Sequence, residues 1–269
     1  MMKPDRKFKY GILLMAMILL VASSCQKVID LKLDNATPQL VIEGNLTDEE
    51  GTQIVTISKS VAFSAANNFP PVSGAVVSIS DSTGFPNILT EKSPGVYVIF
   101  PYQGFYGRTY TLTVKVNGVT YTASSTMPQP VTLDSLSAKS DDLGKKNLRT
   151  VVVNYQDPPN VPNQYRFVLT INSKQVNTVF TNDDSFINGR YVKEELFQTG
   201  TDIHHGDTAR VQMQCIDKNI YKYWFSLSQQ QNNGPGGGVT PSNPPSNISN
   251  GALGYFSAHT VSNQGITIN

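Results

Sequence analysis

Apolar and polar residues alternate along most of the chain from Gln39 onward, and Gly, Pro, Asn and Asp break the pattern at short intervals. Period two between turn residues marks half-buried strands. It predicts strands over Gln39–Leu46, Thr52–Lys59, Gly74–Ser80, Gly95–Phe100, Arg108–Val116 and Val119–Thr126. Asn117-Gly118 joins the last two, and both residues tolerate the positive φ that a two-residue hairpin turn demands. The turn fixes a register: Val116 opposite Val119, Val114 opposite Tyr121, Leu112 opposite Ala123. These six residues and Tyr110 then share one face, while Thr109, Thr111, Thr113 and Lys115 share the other. One apolar and one polar face is the pattern of sheets packed in pairs, not of a doubly wound sheet.

Met127-Pro128-Gln129-Pro130 interrupts the alternation, since prolines do not sit in a central strand. Beyond it, strands are expected over Leu148–Tyr155, Gln164–Ile171, Gln175–Phe180, Arg190–Phe197, Thr208–Ile216 and Gly251–Thr260. Between the last two, Ile220, Tyr223, Trp224 and Leu227 fall at helical spacing, and Asp217 suits the N-cap, so Lys218–Gln231 reads as an amphipathic helix. Its aromatics, the single Trp among them, are expected to fill a sheet–helix interface. Asn232–Asn250 is a long Gly/Pro/Asn/Ser loop, either a binding loop or a solvated excursion. The fold class is therefore all-β, with two sandwich-like domains. The first, prealbumin- or immunoglobulin-like, covers residues 38–128, and the second, with the helix, covers 129–269.

The first 24 residues have another character. Lys3, Arg6, Lys7 and Lys9 precede an unbroken apolar run, Gly11–Val21, and then Ala22-Ser23-Ser24 lead to Cys25. Eleven residues at 1.5 Å each cover about half of a ~30 Å hydrocarbon core, so this reads as a secretory signal and not a spanning helix. It resembles a bacterial lipoprotein signal, cut before a Cys that carries a thioether-linked diacylglycerol. Ser23 and Ser24 fit that pattern, whereas Ala22 stands where Leu is preferred. Residues 1–24 are then the signal, Cys25 the lipidation site, and 25–37 a tether; the alternative is a soluble secreted protein cut near Ser24.

Charged residues make up 15% of the chain and the net charge is +1, which gives no field for wrapping nucleic acid. Two cysteines make neither a disulfide framework nor a Cys-rich zinc site, and Cys215 reads as a small hydrophobe in a strand. His204-His205 lie in a polar turn without metal-ligand spacing, and His259 reads as a surface or half-buried strand residue. No Gly-x-Ser-x-Gly elbow occurs, and Gly236-Gly237-Gly238 lacks the Lys-Ser/Thr of a phosphate loop. Asp183-Asp184 and Glu194-Glu195 are the acid pairs available for sugar chemistry. The residues indicate no catalytic, metal or cofactor site.

Ser24-Cys25, Val28-Ile29-Asp30-Leu31 and Pro38–Gly44 are similar to the start of Bacteroidota outer-membrane lipoproteins of domain-of-unknown-function family 4249. Pro71–Val77, Pro94–Tyr97, Gly107–Leu112, Asn163–Phe167, Gly206-Asp207-Thr208 and Ser246–Phe256 continue the resemblance in order. The resemblance implies a lipid-anchored outer-membrane protein, often accompanying a TonB-dependent transporter, with no catalytic residues to carry over. The leading expectation is a non-catalytic accessory or binding component of such a transporter. A structural or adhesive surface module is the alternative, and a metal-assisted hydrolase ranks below both.

Overall fold

The computed structural model describes residues 37–62, 68–140, 147–198, 200–231 and 242–269. The leader and Cys25 lie outside the described residues. Strands β1 (Leu40–Thr47), β2 (Gly51–Lys59), β3 (Val76–Ser80), β4 (Asn87–Ser93), β5 (Val96–Tyr102), β6 (Thr109–Val116) and β7 (Val119–Thr126) form the first half. The second holds β8 (Leu133–Ser140), β9 (Arg149–Gln156), β10 (Gln164–Ile171), β11 (Lys174–Gln175), β12 (Phe180–Asp183), β13 (Tyr191–Leu196) and β14 (Thr208–Cys215). It ends with helix α1 (Lys218–Gln231) and β15 (Leu253–Thr267). The fold is all-β with one helix.

The β6–β7 hairpin has the register that its turn demands, with Val116 against Val119, Val114 against Tyr121 and Leu112 against Ala123. Tyr110, Leu112, Val114 and Val116 are buried; Val119, beside the turn, is exposed. The apolar faces of β3, β6 and β7 meet those of β1, β2 and β5 in one core, which includes Ile42, Val55, Val77, Tyr97, Leu112 and Val114. A second core packs β8, β9 and β13 against β10, β12 and β14, through Leu133, Val153, Tyr155, Tyr165, Phe167 and Met213. The chain passes from one core to the other between Met127 and Val131.

Sequence position and core membership part company at the C-terminus. Ile248, Ala252, Phe256 and Ala258, placed by the sequence in the second domain, lie in the first core, and Ile268 returns to the second. The cause is β15. Its first half pairs in parallel with β1, Val41 to Thr47 against Leu253 to His259. Its second half pairs antiparallel with β14, Cys215 to Thr208 against Thr260 to Thr267. One strand thus joins the sheets of both halves into a 12-stranded array, beside a separate sheet ordered β13-β9-β8. Gly44 makes room for it: a Cβ there would lie 2.9 Å from the ring of Phe256, its partner across the ladder.

Other elements differ from the sequence reading for local reasons. β4 went unread because only Leu89 of NILTEKS is buried. In β8 a register shift between Leu133 and Ser135 breaks the alternation. The single strand expected over Gln175–Phe180 is split into β11 and β12. Gln231, at the end of α1, holds the intervening turn by donating to Asn177 O (3.0 Å) and accepting from Val179 N (2.9 Å).

Candidate functional site at the junction of the sandwiches

Helix α1 starts where both halves meet. Asp217 Oδ1 accepts from Asn219 N (2.8 Å) and Ile220 N (3.2 Å), a cap on the first turn. Its other oxygen accepts from the Ser125 hydroxyl of β7, which itself accepts from Ala258 N of β15 at 2.9 Å. One small side chain therefore ties β7, β15 and the helix together. Ile220, Tyr223 and Trp224 then lie on Tyr255 of β15.

Beneath Trp224 sits Arg166 of β10, its guanidinium 3.6 Å from the indole centre and donating to Gln214 Oε1 at 3.0 Å. Among the described residues the ion pairs are Arg108–Asp81 and Lys139–Glu195, so no carboxylate neutralises Arg166. Burial lowers its pKa, and the indole face and the Gln214 amide supply the attraction that a carboxylate would otherwise give. This cation fastens the helix to the sheet. Sequence reading overlooked it because the alternation of QYRFVLTI places Arg166 on an outward face, which ordinarily means water.

His259 lies on the same side of β15 and is 2% exposed, a correction to the surface or half-buried position expected for it. Its Nδ1 is 3.0 Å from the Ser257 hydroxyl. Burial first, and then the charge of Arg166, push its pKa down to about 4. The folded protein resists protonating His259, whereas the unfolded chain takes up the proton near the ordinary 6.5. This contribution to stability is complete above pH 6.5 and falls by ~3 kcal/mol as pH drops toward 4. Urea midpoints of the wild type and His259→Gln, compared at pH 7 and 4.5, are expected to show the loss in the wild type and a flatter profile in the variant.

The other sequence candidates scatter. Glu194 and Glu195 point to opposite sides of β13: Glu194 accepts from Asn182 (2.7 Å), while Glu195 pairs with Lys139 (2.9 Å). They make no acid pair. Asp183 caps its own turn by accepting from Ser185 N at 3.1 Å. His204 and His205 are exposed in the turn before β14. Cys215 is a buried free thiol in the second core, and burial raises its pKa. The described part of the long loop, residues 242–250, packs against the first sandwich. Ile248 bridges to Ala123, and Asn247 and Asn250 donate to the carbonyls of Ser124 (3.2 Å) and Thr120 (2.7 Å), sealing the free edge of β7.

On the outer face of β10, β14 and β15 a trough of ≈ 600 Å³ runs along Val168, Thr170, Arg210, Gln212, Asn263 and Gly265. Its polar groups are amides, a hydroxyl and one guanidinium, which bind by hydrogen bonds and carry no nucleophile–base pair. Among the described residues no group of three or more His, Cys, Asp or Glu side chains is placed to hold a metal ion. No described helix is long and apolar enough to cross a membrane.

Comparison with known families follows the body closely: the family described as Domain of unknown function (DUF4249) matches residues 26–265. The chain belongs to this family. The match takes in every strand from β1 to β14, the helix, and β15 up to Gly265. No curated protein matches the chain.

Proposed function

We propose that this DUF4249 chain is a lipoprotein of the cell envelope, held in the outer membrane by acyl chains on Cys25. Its role is that of a non-catalytic accessory or binding component of a TonB-dependent transporter. The observation that carries the reading is where the family match begins: residue 26, the one after Cys25. The segment shared with the family lies wholly within what a cut before Cys25 would leave, which supports the reading. Several acyl chains on one residue anchor stably where a single chain does not.

Contact with a protein partner is supported at one end of the first sandwich. β1 runs from Leu40 toward Thr47, and Gly104 N donates to Thr47 O at that far end. Phe105 and Tyr106 stand exposed there, and Phe85 and Phe100 are exposed as well, the residue type enriched at protein interfaces. Wild-type protein is expected in the membrane fraction and Cys25→Ser in the soluble one. Phe85→Ser with Phe105→Ser should stay in the membrane yet no longer co-purify with a TonB-dependent barrel. Wild-type protein that never recovers a barrel with its lipid intact contradicts the transporter role, and Cys25→Ser remaining in the membrane contradicts the anchor.

A further inference from the structure

β13 is an outer strand of the smaller sheet, paired with β9 on one side only. The bond from Asp157 N to Arg190 O (2.9 Å) sets the phase of that ladder. Val192, Glu194 and Leu196 turn their backbone groups toward β9, so Tyr191, Lys193 and Glu195 turn theirs outward, the Glu195 carbonyl also accepting from Phe197 N at 3.1 Å. Val192 and Leu196 are buried, while Tyr191, 51% exposed, shares the outer face with Lys193 and Glu195. An edge with free N–H and C=O groups is a template for another strand.

We propose that β13 pairs antiparallel with β13 of a second copy of this chain, about a two-fold axis through Glu194. Charge selects both the occupant and the register. With Glu194 on the axis, Lys193 lies opposite Glu195 of the second copy, and Glu195 opposite its Lys193. The outward backbone groups of Lys193 and Glu195 bond to one another across the axis. Moving the axis to Lys193 or to Glu195 sets like charges face to face on the outer side, whereas the axis at Glu194 leaves its one like-charge pair on the inner side, where Asn182 donates to each carboxylate. A lone Lys on an edge strand repels another copy of itself; followed two residues later by Glu on the same face, it becomes self-complementary.

Two features limit the strength. A pairing confined to Val192–Leu196 covers far less than the ~1,200–2,000 Å² of stable complexes, so the dimer is weak and grows with local concentration. The Glu194 side chains also meet across the axis, each turned inward to accept from Asn182 at 2.7 Å. Glu195 leaves its ion pair with Lys139 at little cost, because that pair is exposed. The pairing is independent of the lipid anchor, which serves only to concentrate the chains.

Sedimentation equilibrium of the full chain in density-matched detergent is expected to show a monomer–dimer equilibrium. Lys193→Glu should lower the dimer fraction several-fold, Lys193→Glu with Glu195→Lys should restore it, and Glu194→Gln should raise it. Mild oxidation should cross-link Glu194→Cys, which meets its own copy, but not Lys193→Cys, which meets Glu195; Cys215 is buried. Should a charge variant fail to fold, as far-UV circular dichroism would report, the wild-type equilibrium and the Glu194→Cys cross-link decide alone. A chain monomeric at every concentration overturns the proposal. So does a dimer indifferent to the charge reversal, or equal cross-linking through positions 193 and 194.

Discussion

Gly254→Ala is expected to destabilise the body by at least ~3 kcal/mol, whereas Gly265→Ala, eleven residues further along the same strand, should cost under ~1 kcal/mol. Gly254 has φ +91°, a conformation L side chains rarely adopt, and a Cβ there would lie 2.1 Å from the carbonyl oxygen of Ile42. That oxygen belongs to the β1 residue paired with Gly254, so relief requires parting the parallel ladder where β15 enters the first sandwich. At Gly265 the nearest atom is Arg210 Cγ at 3.5 Å, an ordinary contact with a side chain. Urea unfolding of both variants makes the comparison. Similar small losses would show that the approach of β15 to β1 is looser than described, and that the first core does not depend on the C-terminal strand.

Val114→Asp is expected to be the most damaging change within the hairpin. Val114 is fully buried, paired with Val77 of β3 and Tyr121 of β7. A carboxylate there finds no partner among the apolar side chains of the first core, and the loss should be ~4 kcal/mol or more. Thr113→Asp, one residue away on the opposite face between Ser78 and Thr122, should stay within ~1 kcal/mol. Thermal midpoints of the two variants measure the difference directly, and equal losses would contradict the assignment of faces.

The hairpin and the helix were legible because each carries its own local rule. Asn117-Gly118 fixes a register by turn geometry, and Asp217 begins a helix that the spacing of Ile220, Tyr223 and Trp224 continues. β15 was legible only in its first half. Leu253, Tyr255 and Phe256 announce a strand, but Ser262, Asn263 and Gln264 carry no apolar face, and their ladder depends on β14, about fifty residues earlier. Arg166 and His259 hid for a related reason. Each lies on a face its own strand's pattern leaves open; α1, which covers Arg166 through Trp224, is far from it in sequence, and His259 is buried on the same side of β15 as Tyr255. Period two tells which residues share a face; it does not tell which outward face receives a third layer.

Mass spectrometry of the N-terminal peptide of the protein purified from membranes is the most direct measurement. The account predicts a chain that begins at Cys25, its sulfur bearing a diacylglycerol and its α-amine free or acylated. A peptide that retains residues 1–24, or that begins at an unmodified Cys25, would contradict it.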